Sequence, residues 1–123
     1  MKRNPIKTQR NRCDKLYQEV AVKNAMACES CGIYKHGNNL CAHHFCPKSL
    51  SNALRYDLKN AIILCRGCHF KHHNGDPQIY ENFMERKSAD WYKYIKSKRK
   101  EIVSPTLGWY KKKFDELTKL KNN

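Results

Sequence analysis

Long apolar runs are missing from this chain. The longest is Ala61-Ile62-Ile63-Leu64-Cys65, far short of the ~20 residues a helix needs to span a bilayer, so no membrane partner is expected. Glycine and proline are scarce, at 5 and 4 residues, which excludes collagen-like and low-complexity architectures. No apolar segment follows the opening MKRNP, so a secretory signal is not expected and a reducing, cytoplasmic setting is. Acidic residues are also few: 11 Asp and Glu face 25 Lys and Arg, for a net charge of +14. Such a chain is suited to polyanions, with counterion release making the association salt-sensitive. With 123 residues and 40% hydrophobic content, it is one small domain whose thin core calls for a staple.

What the sequence has in quantity is cysteine and histidine. There are seven cysteines and six histidines, and in a reducing setting paired cysteines beside histidines favour metal over disulfides. Cys28/Cys31 and Cys65/Cys68 form two C-x-x-C pairs, each able to place two thiolates on one side of a tetrahedral Zn²⁺. A structural zinc is expected on these four. Gly32 follows the first pair and lets the chain turn so that backbone N–H groups face the thiolates. A rival arrangement has two zincs, with Cys41 and Cys46 joining Cys28 and Cys31, and His69 and His73 joining Cys65 and Cys68. Cys13 stands apart and is assigned nothing.

Inside this frame lie His43-His44, Asn60, and the pair His69 and His73. Residues four apart share one helix face, so His69 and His73 are a chelating pair. With His43 they form a candidate site for a catalytic divalent ion, Zn²⁺, Ni²⁺, Mn²⁺ or Mg²⁺. His72 ranks second as a ligand. On a strand His43 and His44 face opposite sides, and a bulge or twist is expected to bring both to one site. His44 is then a neutral imidazole suited to accept a proton near neutral pH. Arg55 is a candidate phosphate clamp, with an ion pair to Asp57 as the alternative. Lys48, in the loop after His44, and Lys71, in the helix after Cys68, are further candidates for phosphate contact.

The periodicity predicts a flexible basic arm over residues 1–11, ending in a cap at Asn11 or Asp14, and an amphipathic helix over 12–27. Next come a hairpin of 33–36 and 40–45 across Gly37-Asn38-Asn39, a polar loop over 46–59, a short strand over 61–64, and a helix after Cys68 ending at Asn74-Gly75. Asp76-Pro77 restarts a helix, with a break near Ser88. A last helix is expected over 107–120. Trp91 and Trp109 fall at core spacing. The segments are accordingly 1–27 as arm and helix, 28–75 as metal module and 76–123 as helical extension.

His43-His44-Phe45, Asn60, and Leu64-Cys65-x-x-Cys68-His69-x-x-x-His73 together resemble the signature of the HNH endonuclease superfamily. Cys41-Ala42-His43-His44-Phe45 and Ala53-Leu54-Arg55-Tyr56-Asp57-x-x-Asn60 resemble, more specifically, the phage NinG/Rap-like recombination nucleases, which process branched DNA. That group has Gly-His-Phe where this chain has His43-His44-Phe45. The extra histidine is closer to the colicin-type nucleases, where the first of the pair binds metal and the second acts as base. The resemblance implies an α+β fold, a zinc-pinned treble-clef ββα-metal module flanked by helices. It also implies hydrolysis of DNA phosphodiester bonds to 5′-phosphate and 3′-hydroxyl ends in a bacterial or phage-infected cell. Asn60 would either constrain the His44 loop or bind the metal. A dimer would suit the two cuts of junction resolution. The alternatives are a non-catalytic two-zinc module that binds nucleic acid, and a non-specific, restriction-type or RNA-directed nuclease.

Overall fold

The first helix begins where a cap is available. In the computed structural model, which describes residues 4–123, the Asn4 side chain accepts from the backbone N–H groups of Ile6 and Lys7 at 3.0 and 3.2 Å. Pro5 occupies the first helical turn, where its missing N–H costs nothing. Helix α1 therefore spans Pro5–Val22, and the expected arm is helical from Pro5 onward; its residues 1–3 lie outside the described residues. Asn11 and Asp14 are helix-interior positions rather than caps. Burial of Gln9, Cys13, Leu16, Tyr17 and Val20 gives this helix a continuous inner face.

The helix stops at Val22 rather than 27 because the chain is then recruited to the first cysteine pair. Ala27 bridges Tyr34, Cys28 N–H donates to the Ile33 carbonyl at 3.0 Å, and Lys35 N–H donates to the Met26 carbonyl at 3.0 Å. Gly32 closes the knuckle at φ +76°, a left-handed conformation costly for other residues. Residues 33–36 are thus spent on the knuckle and do not pair with 40–45. Gly37–Asn39 forms a single 3₁₀ turn, and strand β1, Leu40–His44, pairs instead with β2, Ala61–Cys65. The two strands run antiparallel in unbroken register from Leu40↔Cys65 to His44↔Ala61.

The segment expected as a loop contains short helix α2, Asn52–Arg55, capped by Ser51, and a 3₁₀ turn, Leu58–Asn60, capped by Asp57. Helix α3 spans Arg66–His73, so Cys68 lies inside it and the Cys65 sulfur is its cap. Gly75 follows at φ +88°. Helices α4 (Pro77–Glu85), α5 (Ala89–Arg99) and α6 (Leu107–Asn122) start at side-chain caps Asp76, Ser88 and Thr106.

The architecture is α+β: six α-helices and one two-stranded sheet among the described residues. Helix α6 packs along α1, burying Tyr110 and Leu117 against Cys13, Leu16, Tyr17 and Val20. A second core joins Cys28, Cys65 and Cys68 to Leu40, Ile62, Leu64, Ile79 and Phe83. The thiols are thus part of the hydrophobic centre. Trp91 and Trp109 are half-buried against these cores, as expected from their spacing. No helix among the described residues is long and apolar enough to cross a membrane.

Candidate metal centre and histidine cavity

Two clusters of ligand atoms meet at α3, which carries Cys68 of one and His69 and His73 of the other. The first is Cys28, Cys31, Cys65 and Cys68, whose sulfurs are all within 4.8 Å of one another. A tetrahedral zinc with Zn–S bonds of about 2.3 Å requires sulfurs about 3.8 Å apart; Cys31 Sγ and Cys65 Sγ stand at 3.8 Å. Ser30 N–H donates to Cys28 Sγ and Cys68 N–H to Cys65 Sγ, both at 3.4 Å. Burial raises the Cys28 thiol, but the surrounding N–H groups outweigh it and bring it down to about 7. Burial and the neighbouring thiols push Cys68 up to about 12. Four thiolates cannot share this volume without a cation, and the donor set and spacing fit zinc. The two-zinc arrangement is not formed, because Cys41 lines a separate cavity and Cys46 is buried with Leu54 and Ile95.

The second cluster is His43, His69 and His73, whose ligand nitrogens also fall within 4.8 Å. His69 Nε2 and His73 Nε2 approach to 2.9 Å, as the four-residue helical spacing dictates. The His43 ring lies 5.6 and 5.5 Å from theirs, centroid to centroid. Burial first, and the other imidazoles second, hold His43 down to about 4, so its lone pair is free at neutral pH. His72 sits 4.7 Å from His43 but faces Phe83, and its buried Nδ1 has no hydrogen-bond partner.

His44 is built differently. Its ring stacks on Tyr17 of α1 at 4.8 Å and 25°. Its Nε2 is 2.9 Å from the Arg55 carbonyl. A carbonyl can only accept, so Nε2 carries the proton and Nδ1 keeps its lone pair. Burial lowers its pKa, opposed by the Arg55 carbonyl. His43 faces α3 and His44 faces α1, yet both border one cavity of about 370 Å³ with His69, His73, Pro47 and Lys48. The expected bulge is absent. The strand ends at His44, and the opening between α1 and α3 reaches both sides of it.

Asn60 is fully buried and holds the turn behind His44. Its Oδ1 accepts from Cys46 N–H at 2.8 Å, and its Nδ2 donates to the Cys46 and Leu54 carbonyls at 3.0 and 3.3 Å. These bonds tie Asn60 to the turn that follows His44. Arg55 pairs with Asp14, not Asp57: Nε and Nη2 donate to the two carboxylate oxygens at 3.0 and 2.7 Å. Tyr56 hydroxyl donates to the same carboxylate at 2.8 Å. The guanidinium is therefore engaged, and it is the Arg55 backbone that meets the site. Lys48 reaches the cavity; Lys71, exposed on α3 two residues from both His69 and His73, lies on the far face of that helix.

Two further residues shape the site without any sequence signal. Tyr17, otherwise an ordinary core position of α1, stacks on His44 and donates from its hydroxyl to the Asp57 carbonyl at 2.8 Å. Gln18 takes both backbone groups of Ala42, at 2.8 and 3.0 Å, and so locks β1 to α1. A larger cavity, about 530 Å³, lies between α1 and the start of β1 and is lined by no histidine. Searches against protein-family models, curated proteins and solved structures return no significant match.

Proposed function

We propose that this chain is a metal-dependent endonuclease of the HNH type that hydrolyses DNA phosphodiester bonds. The knuckle, β1, β2 and α3 would then form a treble-clef ββα-metal unit with a structural zinc on the four cysteines. One observation carries the reading. A neutral imidazole with its proton fixed on a backbone carbonyl, His44, shares a cavity with a three-imidazole cluster, His43, His69 and His73.

In this reading His43, His69 and His73 hold one divalent ion. When bound, that ion supplies positive charge to the scissile phosphate and to the departing 3′ oxygen. His44 Nδ1 takes the proton of the attacking water. The Arg55 carbonyl keeps Nε2–H in place and stabilises the ring as it becomes cationic, aided by the Asp14 carboxylate. Asn60 is a positioning residue: it fixes the Cys46 turn, so the His44 ring cannot swing away. Lys48 contributes charge for a phosphate oxygen at the cavity rim. The lysines of α5 and α6 add contacts to the backbone that carry no sequence information.

The test is plasmid nicking by the zinc-loaded protein, with Mg²⁺, Mn²⁺, Ni²⁺ or Zn²⁺ added, alongside His44→Ala. Nicking is expected in the native protein and is expected to fall by about 100-fold or more in the variant, the usual weight of a general base, with DNA binding retained. No nicking with any metal, together with salt-sensitive DNA binding, would replace this reading with a non-catalytic zinc module.

A further inference from the structure

Beside the histidine cavity lies a second pocket of about 220 Å³. The two share Pro47 as a common wall. Phe45, the residue after His44, forms its floor and is braced from behind by Trp91 at 4.8 Å. Tyr80 of α4 faces Phe45 nearly parallel, at 18° with ring centroids 6.4 Å apart. Tyr92 of α5 stands at 74° to Phe45, 6.2 Å away. Tyr80 and Tyr92 are 43% and 38% exposed, an unusual position for rings that a core could have absorbed. The remaining rim is cationic, with Lys96 and Arg99 lining the mouth and the Lys96 ammonium 5.3 Å from the centre of the Tyr92 ring.

We infer that this pocket takes the base of one unpaired nucleotide next to the cleaved phosphate, so that the preferred substrate is DNA with a single-stranded segment at the cut. Three features of the pocket converge on that occupant. Phe45 and Tyr80 are near-parallel with centroids 6.4 Å apart, so a small movement of the exposed Tyr80 ring would admit one flat ring between them. Base-on-aromatic stacking is sequence-tolerant because every base has a π-face. Lys96 and Arg99 sit where the phosphate attached to that base would emerge, and an apolar ligand would have no use for them. The shared wall at Pro47, and the direct chain step from His44 to Phe45, place the pocket one nucleotide's reach from the histidine cavity. A paired base inside a duplex cannot enter, since its faces are covered by its neighbours and the pocket has room for one ring system. The inference rests on the hydrolase reading for the word "cleaved", but the pocket itself does not.

The test uses the full, zinc-loaded chain carrying His44→Ala, so that binding is read without cutting. The probe is an oligonucleotide carrying the fluorescent base 2-aminopurine, presented as a single strand and as its duplex. The strand is expected to bind about fivefold or more tightly than the duplex, as loss of one stacked base implies, with quenching of 2-aminopurine on binding. Tyr80→Ala and Tyr92→Ala should each lose most of the quenching and of the strand preference, whereas Tyr80→Phe should keep both. Because both tyrosines are substantially exposed, neither change threatens the fold. Strand binding and quenching that Tyr80→Ala and Tyr92→Ala leave unchanged overturn the inference, whatever the nicking assay gives. Tyrosine-dependent quenching in a protein whose native form nicks nothing would keep the pocket and discard the hydrolase.

Discussion

At the scale of single residues, the side chains behind His44 matter as much as His44 itself. Asn60 satisfies three buried backbone groups at once. Asn60→Ala leaves the buried Cys46 N–H and carbonyl without partners, while the Leu54 carbonyl keeps the Asp57 N–H; a buried group left unsatisfied costs about 1–3 kcal/mol. We expect Asn60→Ala to lose about 3 kcal/mol in denaturant unfolding, and to lose nicking even at temperatures where it stays folded. Asp14 is the other such residue. Burial acts to raise its pKa, but the hydrogen bonds from Arg55 and Tyr56 prevail and hold it below its ordinary value of 3.8. A carboxyl depressed by folding contributes stability that is complete above 3.8 and is lost as pH falls through the folded value. Asp14→Asn should therefore melt below the native protein at neutral pH, with the gap closing below pH 3.8; melting curves across pH 2–7 read this directly. A constant gap would contradict the assignment.

At the scale of elements, two helix ends depend on side chains outside the helix itself. Lys23, just past the end of α1, donates from Nζ to the carbonyls of Leu120 and Lys121, at 3.4 and 2.6 Å, and to that of Asn123. A cation on the exposed carbonyls of a helix C-terminus is worth about 0.3–1 kcal/mol. Lys23→Ala should fray the last turn of α6 and speed amide exchange from Leu117 onward, while Lys23→Arg should not. Helix α3 is more severely dependent, since its cap is the Cys65 sulfur and its first turn carries Cys68. Cys65→Ser removes a ligand from the four-sulfur cluster and leaves a hydroxyl in a hydrophobic centre. We expect it to abolish stoichiometric zinc and to lose the helical signal of residues 66–85, as measured by metal analysis and circular dichroism. A variant that folds normally without zinc would show the cluster to be dispensable.

At the scale of the whole molecule, the net charge of +14 sets the long-range behaviour. If DNA is the partner, log affinity falls linearly with log salt, and each phosphate contact contributes about 0.9 to the slope. Lys111 and Lys112 are exposed on α6 and make no ion pair among those the described residues form. Replacing a contacting lysine with alanine should make the slope shallower by about 0.9 without altering which DNA is preferred, because phosphate contacts do not read bases. Tyr80→Ala should do the reverse, changing substrate preference with the salt slope intact.

Much of the fold was legible because its signals are local. The C-x-x-C pairs, the four-residue step from His69 to His73, the Asp76-Pro77 start, the Ser88 break and the Asn74-Gly75 end each act within one turn of chain, where spacing alone dictates geometry. The same holds for the start at Asn4-Pro5, a cap and first-turn proline read as part of an arm because no apolar period begins beside them. The hairpin expected across Gly37-Asn38-Asn39 misplaced a real turn, since the Cys28–Cys31 knuckle claims residues 33–36 and leaves β1 to β2, a choice made between distant segments. The surroundings of His44 were beyond reach for the same reason. Tyr17, Gln18 and Asp14 come from α1, Arg55 from α2 and Asn60 from the turn before β2, and nothing in their own neighbourhoods marks them. The spacing of the metal-ligand candidates and the starts of α4 and α6 were readable in the sequence, because they depend on contacts within one turn of chain. The seat of His44 on the Arg55 carbonyl and the Tyr17 ring, and the aromatics left uncovered, were settled by the fold, because packing brings those groups together from all along the chain.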